Sequence, residues 1–246
     1  ISYYDATNGD LKYVRATDAS GTTWGSPQTL DATGVIGLYT SLSIVNGNPA
    51  VAYYDQTNGD LKYVRATDAS GTTWGSPQTL DVTGDVGAHP SLIIMSGNPA
   101  ISYYDATNGD LKYVRASDAS GSAWGSPQSL DATGDVGQFS SLSIVNGNPA
   151  ISYFDGINGD LKYVRATNAG GTTWGSPQTL DASGLVGYFT TLTIVNGNPA
   201  ISYYDDSNFD LKYVRATDAS GSAWGSPTVL VSTGVTGQYP RMSTLG

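Results

Sequence analysis

The chain of 246 residues has no cysteine, no glutamate and a single histidine, His89. Without cysteine there is no disulfide framework and no thiolate metal centre, on either side of a membrane. Without glutamate the 21 acidic residues are all aspartate, which suits turns and strand ends, where a short carboxylate bonds its own backbone. Long apolar runs are missing too. None approaches the roughly 18 residues of a spanning helix, and no leader stands before Ile1, so the sequence reads as a soluble, processed chain. Charge is sparse at 13% and lopsided at −10, which repels a phosphate backbone and an anionic lipid surface. Neither nucleic acid nor membrane is an expected partner, and nothing calls for a cofactor.

What is abundant is glycine (31), tyrosine (17) and tryptophan (5), the make-up of a turn-rich, aromatic-rich β protein. The sequence also repeats itself every 50 residues without insertion, marked by Trp24, Trp74, Trp124, Trp174 and Trp224. Four short strands fit one period: 41–45 (A), 50–55 (B), 61–67 (C) and 78–81 (D). Asn-Gly-Asn-Pro joins A to B and Asn-Gly-Asp joins B to C, both tight-hairpin signals because Asn and Gly tolerate positive φ. Four antiparallel strands per 40 to 50 residues mark a propeller blade rather than a helical solenoid.

The sequence opens inside strand B, so the first copy lacks a strand A, and residues 239–245 match the A position of the other copies. The expectation is a single all-β domain over 1–246. It is a five-bladed β-propeller of 50-residue four-stranded repeats (1–50, 51–100, 101–150, 151–200 and 201–246). The C-terminal strand closes it by completing blade one and hiding its edge. Such a ring is expected to be monomeric. Strand C alternates Leu61, Tyr63, Arg65 with Lys62, Val64, Ala66; the lysine and arginine stems can lie on neighbouring blades while their heads reach Asp or water. Each tryptophan is expected to pack between blades and to anchor the turn before strand D, with sugar stacking as the lesser alternative.

The segment from Asp18 to Trp24, Asp-Ala-Ser-Gly-Thr-Thr-Trp, resembles the Asp-box repeat of sialidase-type and related secreted propellers, whose usual form is Ser-x-Asp-x-Gly-x-Thr-Trp. The likeness spans all five copies, at Asp18, Asp68, Asp118, Asn168 and Asp218. It has one extra residue between Asp and Gly, Asn in the fourth copy, and Ala123 and Ala223 in place of the last Thr. The resemblance implies a structural turn device away from any active site, on a secreted or cell-surface protein. It also implies what a sialidase would need: a tyrosine paired with a glutamate, an acid/base carboxyl and converging arginines. There is no glutamate, and Arg15, Arg65, Arg115, Arg165 and Arg215 lie on strand C, so the activity does not carry over.

Other chemistry fares no better. Asp5 and Asp10 flank one turn in each copy, as Asp55 and Asp60 do in the next, but a carboxylate pair repeated in every blade reads as turn chemistry rather than as a glycosidase pair. Asp5 to Asp10 lacks the ligand spacing of a calcium loop. His89 has no repeated partner and reads as a surface residue. The chain is expected not to be an enzyme and to hold no metal.

The copies diverge at the D-to-A connection and the B-to-C turn, which share one face of an up-and-down blade. The ring Tyr39, His89, Phe139, Phe189 and Tyr239 stands where the innermost strands begin, a platform for sugars or peptides. Drift in exposed loops, with the aromatics packed between blades, would give the same pattern. Two functions therefore stay open: a non-catalytic binding module, multivalent and glycan-directed, or a purely structural repeat array, amplified or engineered.

Overall fold

The computed structural model describes residues 1–243. The first sheet has β1 (Ser2–Asp5), β2 (Asp10–Tyr13) and β3 (Gln28–Asp31). The second forms β4 (Ile36–Val45), β5 (Asn48–Asp55), β6 (Asp60–Arg65) and β7 (Gln78–Asp81), and the third β8 (Val86–Met95), β9 (Asn98–Asp105), β10 (Asp110–Arg115) and β11 (Gln128–Asp131). The fourth forms β12 (Val136–Val145), β13 (Asn148–Asp155), β14 (Asp160–Arg165) and β15 (Gln178–Asp181), and the fifth β16 (Val186–Val195), β17 (Asn198–Asp205), β18 (Asp210–Arg215) and β19 (Thr228–Val231). Each sheet is antiparallel with its strands in chain order, β1-β2-β3 having three strands and the others four, and each four-stranded sheet takes its first strand from the end of the preceding 50-residue copy. This is the architecture of a five-bladed β-propeller.

The turns form for the reasons the sequence suggests. Asn46 and Gly47 take φ of 45° and 81°, the left-handed pair that a two-residue hairpin between Val45 and Asn48 demands. At the B-to-C turn Asp55 closes the bend, its carboxylate accepting from Asn58 N at 3.1 Å and Asn58 Nδ2 at 2.9 Å.

Four boundaries differ from expectation, two of them slightly, strand B starting at Asn48 rather than at 50 and strand C at Asp60 rather than at 61. Strand A starts at position 36 rather than 41, because two register shifts let the chain keep pairing through irregular backbone. Strand C ends at Arg65 rather than at 67, since Ala66 makes only an isolated bridge to Trp74.

The contacts gather the chain into two compact units, Ile1–Thr107 with Val114–Pro127, and Asn108–Tyr113 with Gln128–Gly246. In the first, one core joins Val45, Leu61, Tyr63, Val86, Leu92, Ile101 and Tyr103. The second repeats it with Val145, Leu161, Tyr163, Val186, Leu192, Ile201 and Tyr203.

The closing strand expected over 239–245 is not formed over 239–243, and Thr244 and Leu245 lie outside the described residues. The fifth copy changes what starts strand A elsewhere. Ile36, Val86, Val136 and Val186 are fully buried at that position, whereas the fifth copy has Thr236, and Val231 stands where the others have Asp. The segment is nonetheless held within its unit: Tyr239 stacks on Phe189 at 3.9 Å, and Thr191 Oγ1 donates to Pro240 O at 2.9 Å.

Candidate functional site

Four of the five aromatic positions lie inside a β-bulge. In β4 Leu38 pairs with Tyr54 and Ser41 with Ala52, so Tyr39 and Thr40 together oppose Tyr53 alone. The same two-against-one count places His89 in β8, Phe139 in β12 and Phe189 in β16. All four bulged residues are left-handed, with φ of 53° at Tyr39, 54° at His89, 54° at Phe139 and 53° at Phe189, and Tyr239, outside any strand, has the same backbone at 54°. Bulky side chains rarely occupy this region, and a bulge re-aims the side chain it carries. Two residues earlier Gly37 has φ of 96°, and a Cβ there would come within 2.7 Å of Leu11 Cα; only glycine fits that approach.

The aromatics then stack within each unit. Tyr39 lies 4.2 Å from His89. In the other unit Phe139 meets Phe189 at 4.6 Å and Phe189 meets Tyr239 at 3.9 Å. The fourth repeat adds Tyr188, 4.2 Å from buried Phe154 and 5.4 Å from Phe139, making five rings in continuous contact. The rings differ in accessibility: Tyr39 is 50% and Tyr239 68% exposed, whereas His89, Phe139 and Phe189 are half-buried. Polar groups border the patch, with Gln138 Nε2 at 3.2 Å from the Asp135 carboxylate.

His89 is therefore not the surface residue the sequence suggested. Its ring lies under Tyr39, and loss of hydration pulls its pKa down from 6.5 to about 4.

The tryptophans and the Asp-box positions form a separate system. Trp74 stands edge-on to Tyr13 at 4.9 Å, Trp124 to Tyr63 at 5.1 Å, Trp174 to Tyr113 at 5.1 Å and Trp224 to Tyr163 at 5.0 Å. Every indole N–H, including that of Trp24, donates to the glycine carbonyl three residues earlier. Trp24 itself is 48% exposed. Asp18 accepts from Ser20 N, Ser20 Oγ and Thr22 N on one oxygen, and from Thr22 Oγ1 and Thr23 N on the other. Those hydrogen bonds, led by Ser20 and Thr23, hold its carboxyl far below the usual range. Asp68, Asp118 and Asp218 repeat the pattern. Asn168 instead donates from Nδ2 to Thr172 Oγ1 and Thr173 Oγ1 and keeps Oδ1 as the acceptor for Thr172 N.

A second polar system was legible only in outline, as lysine heads reaching Asp or water, without the partners. Asp31, at the end of β3, accepts from Tyr53 OH at 2.8 Å and Lys62 Nζ at 2.7 Å of the next sheet. Asp131 does so with Tyr153 and Lys162, and Asp181 with Tyr203 and Lys212. Burial opposes ionisation of these aspartates, but the donors outweigh it and their carboxyls stay below the ordinary range. The carboxylates flanking the B-to-C turn are drawn into the same ion pairs, Lys12 lying 2.9 Å from Asp10 and 3.8 Å from Asp5. Among the described residues no cluster of three or more metal-ligating side chains occurs. A groove of about 460 Å³, lined by Arg15, Gln28, Ser70 and Thr72, lies in the first unit.

No protein-family model and no curated protein sequence matches the chain. Solved structures do. A mutant of the NanB sialidase from Streptococcus pneumoniae superposes with a TM-score of 0.58 at 10% identity, over 88% of this chain and 55% of that one. The exo-β-1,3-galactanase from Phanerochaete chrysosporium, solved with galactose, gives 0.55 at 11% identity, over 94% and 54%. A GH62 hydrolase in complex with xylotriose gives 0.55 at 13%, over 83% and 71%. The likeness is one of fold. The chain has a β-propeller fold like that of these proteins and spans about half the length of the first two of them.

Proposed function

We propose that this chain is a non-catalytic binding module directed at carbohydrate, with the bulge aromatics as its contact surface. The observation that carries the reading is the left-handed backbone shared by Tyr39, His89, Phe139, Phe189 and Tyr239. A bulky residue held there costs about 1–3 kcal/mol, and glycine would remove that cost, so the retained ring is what the position presents. The five-ring patch of Phe139, Phe154, Tyr188, Phe189 and Tyr239, bordered by Gln138 and Asp135, offers an apolar face with hydrogen-bonding groups at its rim. A sugar ring needs both. Support for the non-catalytic part comes from the missing glutamate, the half-buried histidine and the commitment of the aspartates to turns and lysines. That the proteins of similar fold include one solved with galactose and one with xylotriose fits a carbohydrate ligand.

The test is a glycan array followed by calorimetric titration of the best ligand. Phe189→Gly relaxes the backbone while removing the ring, so binding should fall at least tenfold with an unchanged melting temperature. Equal binding by the variant overturns the site, and no binding across a broad panel overturns the function. One observation favours a structural reading: the rings stack on one another at 3.9 to 4.6 Å. On that reading Phe189→Gly lowers the melting temperature and no ligand is found.

A further inference from the structure

The chain contains seven Asn-Gly steps, at Asn8, Asn46, Asn58, Asn108, Asn146, Asn158 and Asn196, and the fold places them in two different electrostatic settings. In the B-to-C turns both reacting groups are occupied. Asn8, Asn58 and Asn158 donate from Nδ2 to Asp5, Asp55 and Asp155 at 2.9, 2.9 and 3.0 Å. The following amides, Gly9 N, Gly59 N and Gly159 N, each donate to an aspartate carbonyl at 2.8 Å.

The A-to-B turns are the reverse. Asn46, Asn146 and Asn196 are exposed and left-handed, with φ of 45°, 45° and 46°. Nothing lies within 4 Å of where a Cβ would stand on Gly47, Gly147 or Gly197. A cation also sits on the peptide that joins each pair: Arg65 Nη2 donates to Asn46 O at 3.0 Å, Arg165 Nη2 to Asn146 O at 3.0 Å and Arg215 Nη2 to Asn196 O at 3.0 Å. Each arginine is fixed by a second bond from Nε to the carbonyl of residue 45, 145 or 195, at 2.9, 2.9 and 3.0 Å.

We propose that Asn46, Asn146 and Asn196 are self-modifying sites, at which the guanidinium on the Asn-Gly peptide oxygen promotes loss of the asparagine side-chain amide. The Gly47 N–H gives its proton to hydroxide, and the negative charge spreads onto the peptide oxygen that Arg65 holds. The nitrogen attacks Asn46 Cγ. The new N–Cγ bond forms, the Cγ–Nδ2 bond breaks, and the leaving nitrogen takes a proton from water to depart as ammonia. Water then opens the five-membered imide at either carbonyl, leaving aspartate or isoaspartate. Nothing is oxidised or reduced. A charge-assisted hydrogen bond that strengthens as the amide ionises acts on the rate-limiting nucleophile, whereas in the B-to-C turns ionisation would break the glycine N–H bond. Each event adds one negative charge, and the isoaspartate product lengthens the backbone of a turn only two residues long.

The experiment is peptide mapping by mass spectrometry of the intact protein incubated at mildly alkaline pH. Conversion is expected at Asn46, Asn146 and Asn196 ahead of Asn8, Asn58 and Asn158, with the difference vanishing in denaturant. Arg65→Gln keeps a donor but loses the charge. It should slow Asn46 alone, by about tenfold, while Asn146 and Asn196 in the same molecule keep their rate. Arg165→Gln repeats the test at Asn146 should the first variant fold poorly. Equal rates in the two turn classes of the folded protein, or an unchanged rate at Asn46 in both charge-loss variants, overturns the proposal.

Discussion

A left-handed tyrosine, histidine or phenylalanine at one position of every repeat cannot be inferred from propensity, because the side chains there favour ordinary strand backbone. Comparison of the copies did single out Tyr39, His89, Phe139, Phe189 and Tyr239, since they vary in identity while staying aromatic. What it could not show was the bulge, which depends on two residues facing one across the hairpin. The same limit hid the state of His89. Its pKa falls from 6.5 in the unfolded chain to about 4 in the folded one, so the neutral ring is the folded form. Its contribution is complete above pH 6.5 and is lost as pH falls toward 4. Melting curves across that range should show His89→Phe, the residue of two other copies, less acid-sensitive than the parent. At the Asp-box, Asp68→Asn should lower the melting temperature, because Oδ2 accepts from Thr73 N at 2.7 Å and an amide nitrogen in its place cannot accept.

Strand identity and order were legible, because period-2 alternation and Asn-Gly turns are local signals. The early start of strand A was not, since it rests on Gly37 fitting against Leu11 of the neighbouring sheet. The matching of residues between elements was visible only afterwards. Ser152 on β13 bonds Thr190 Oγ1 at 2.7 Å and Ser2 on β1 bonds Thr40 Oγ1 at 2.9 Å, while Ala52 faces the equivalent Pro90. Likewise Tyr54 OH donates to Asp85 at 2.5 Å, and Phe154 is paired by position with Leu185. The fifth repeat breaks both rules. Ser202 and Tyr204 on β17 have Pro240 and Val235 at the matching positions, and their buried hydroxyls have no hydrogen-bond partner among the described residues. The register there is intact, since Thr236 N reaches Phe209 O as Val86 N reaches Gly59 O. Val235→Asp should therefore stabilise the protein by about 1 kcal/mol, read as a higher urea midpoint with the same slope. A lower midpoint would show that the tail does not follow the repeat geometry at that position.

At the scale of the whole chain, the repeat announced the five-bladed fold, but which aspartate meets each lysine and tyrosine between successive sheets was not legible, because the contacts join residues 22 and 31 apart rather than neighbours. Lys162 shows what they hold: with Nζ 2.7 Å from Asp131 and both side chains almost fully buried, Lys162→Met leaves an uncompensated carboxylate. It should cost about 3–5 kcal/mol in chemical denaturation. The aspartates of this system are ionised in the fold and held below their ordinary pKa, so their contribution is present at neutral pH and is lost as pH drops below about 4.

These joints are also interchangeable. Asp31 grips Lys62 by the same atoms with which Asp131 grips Lys162, so nothing in a contact says which copy it belongs to. A chain leaving denaturant meets several equally good mates for every strand. Sorting true neighbours from look-alikes, rather than making any one sheet, then governs how fast the native arrangement returns.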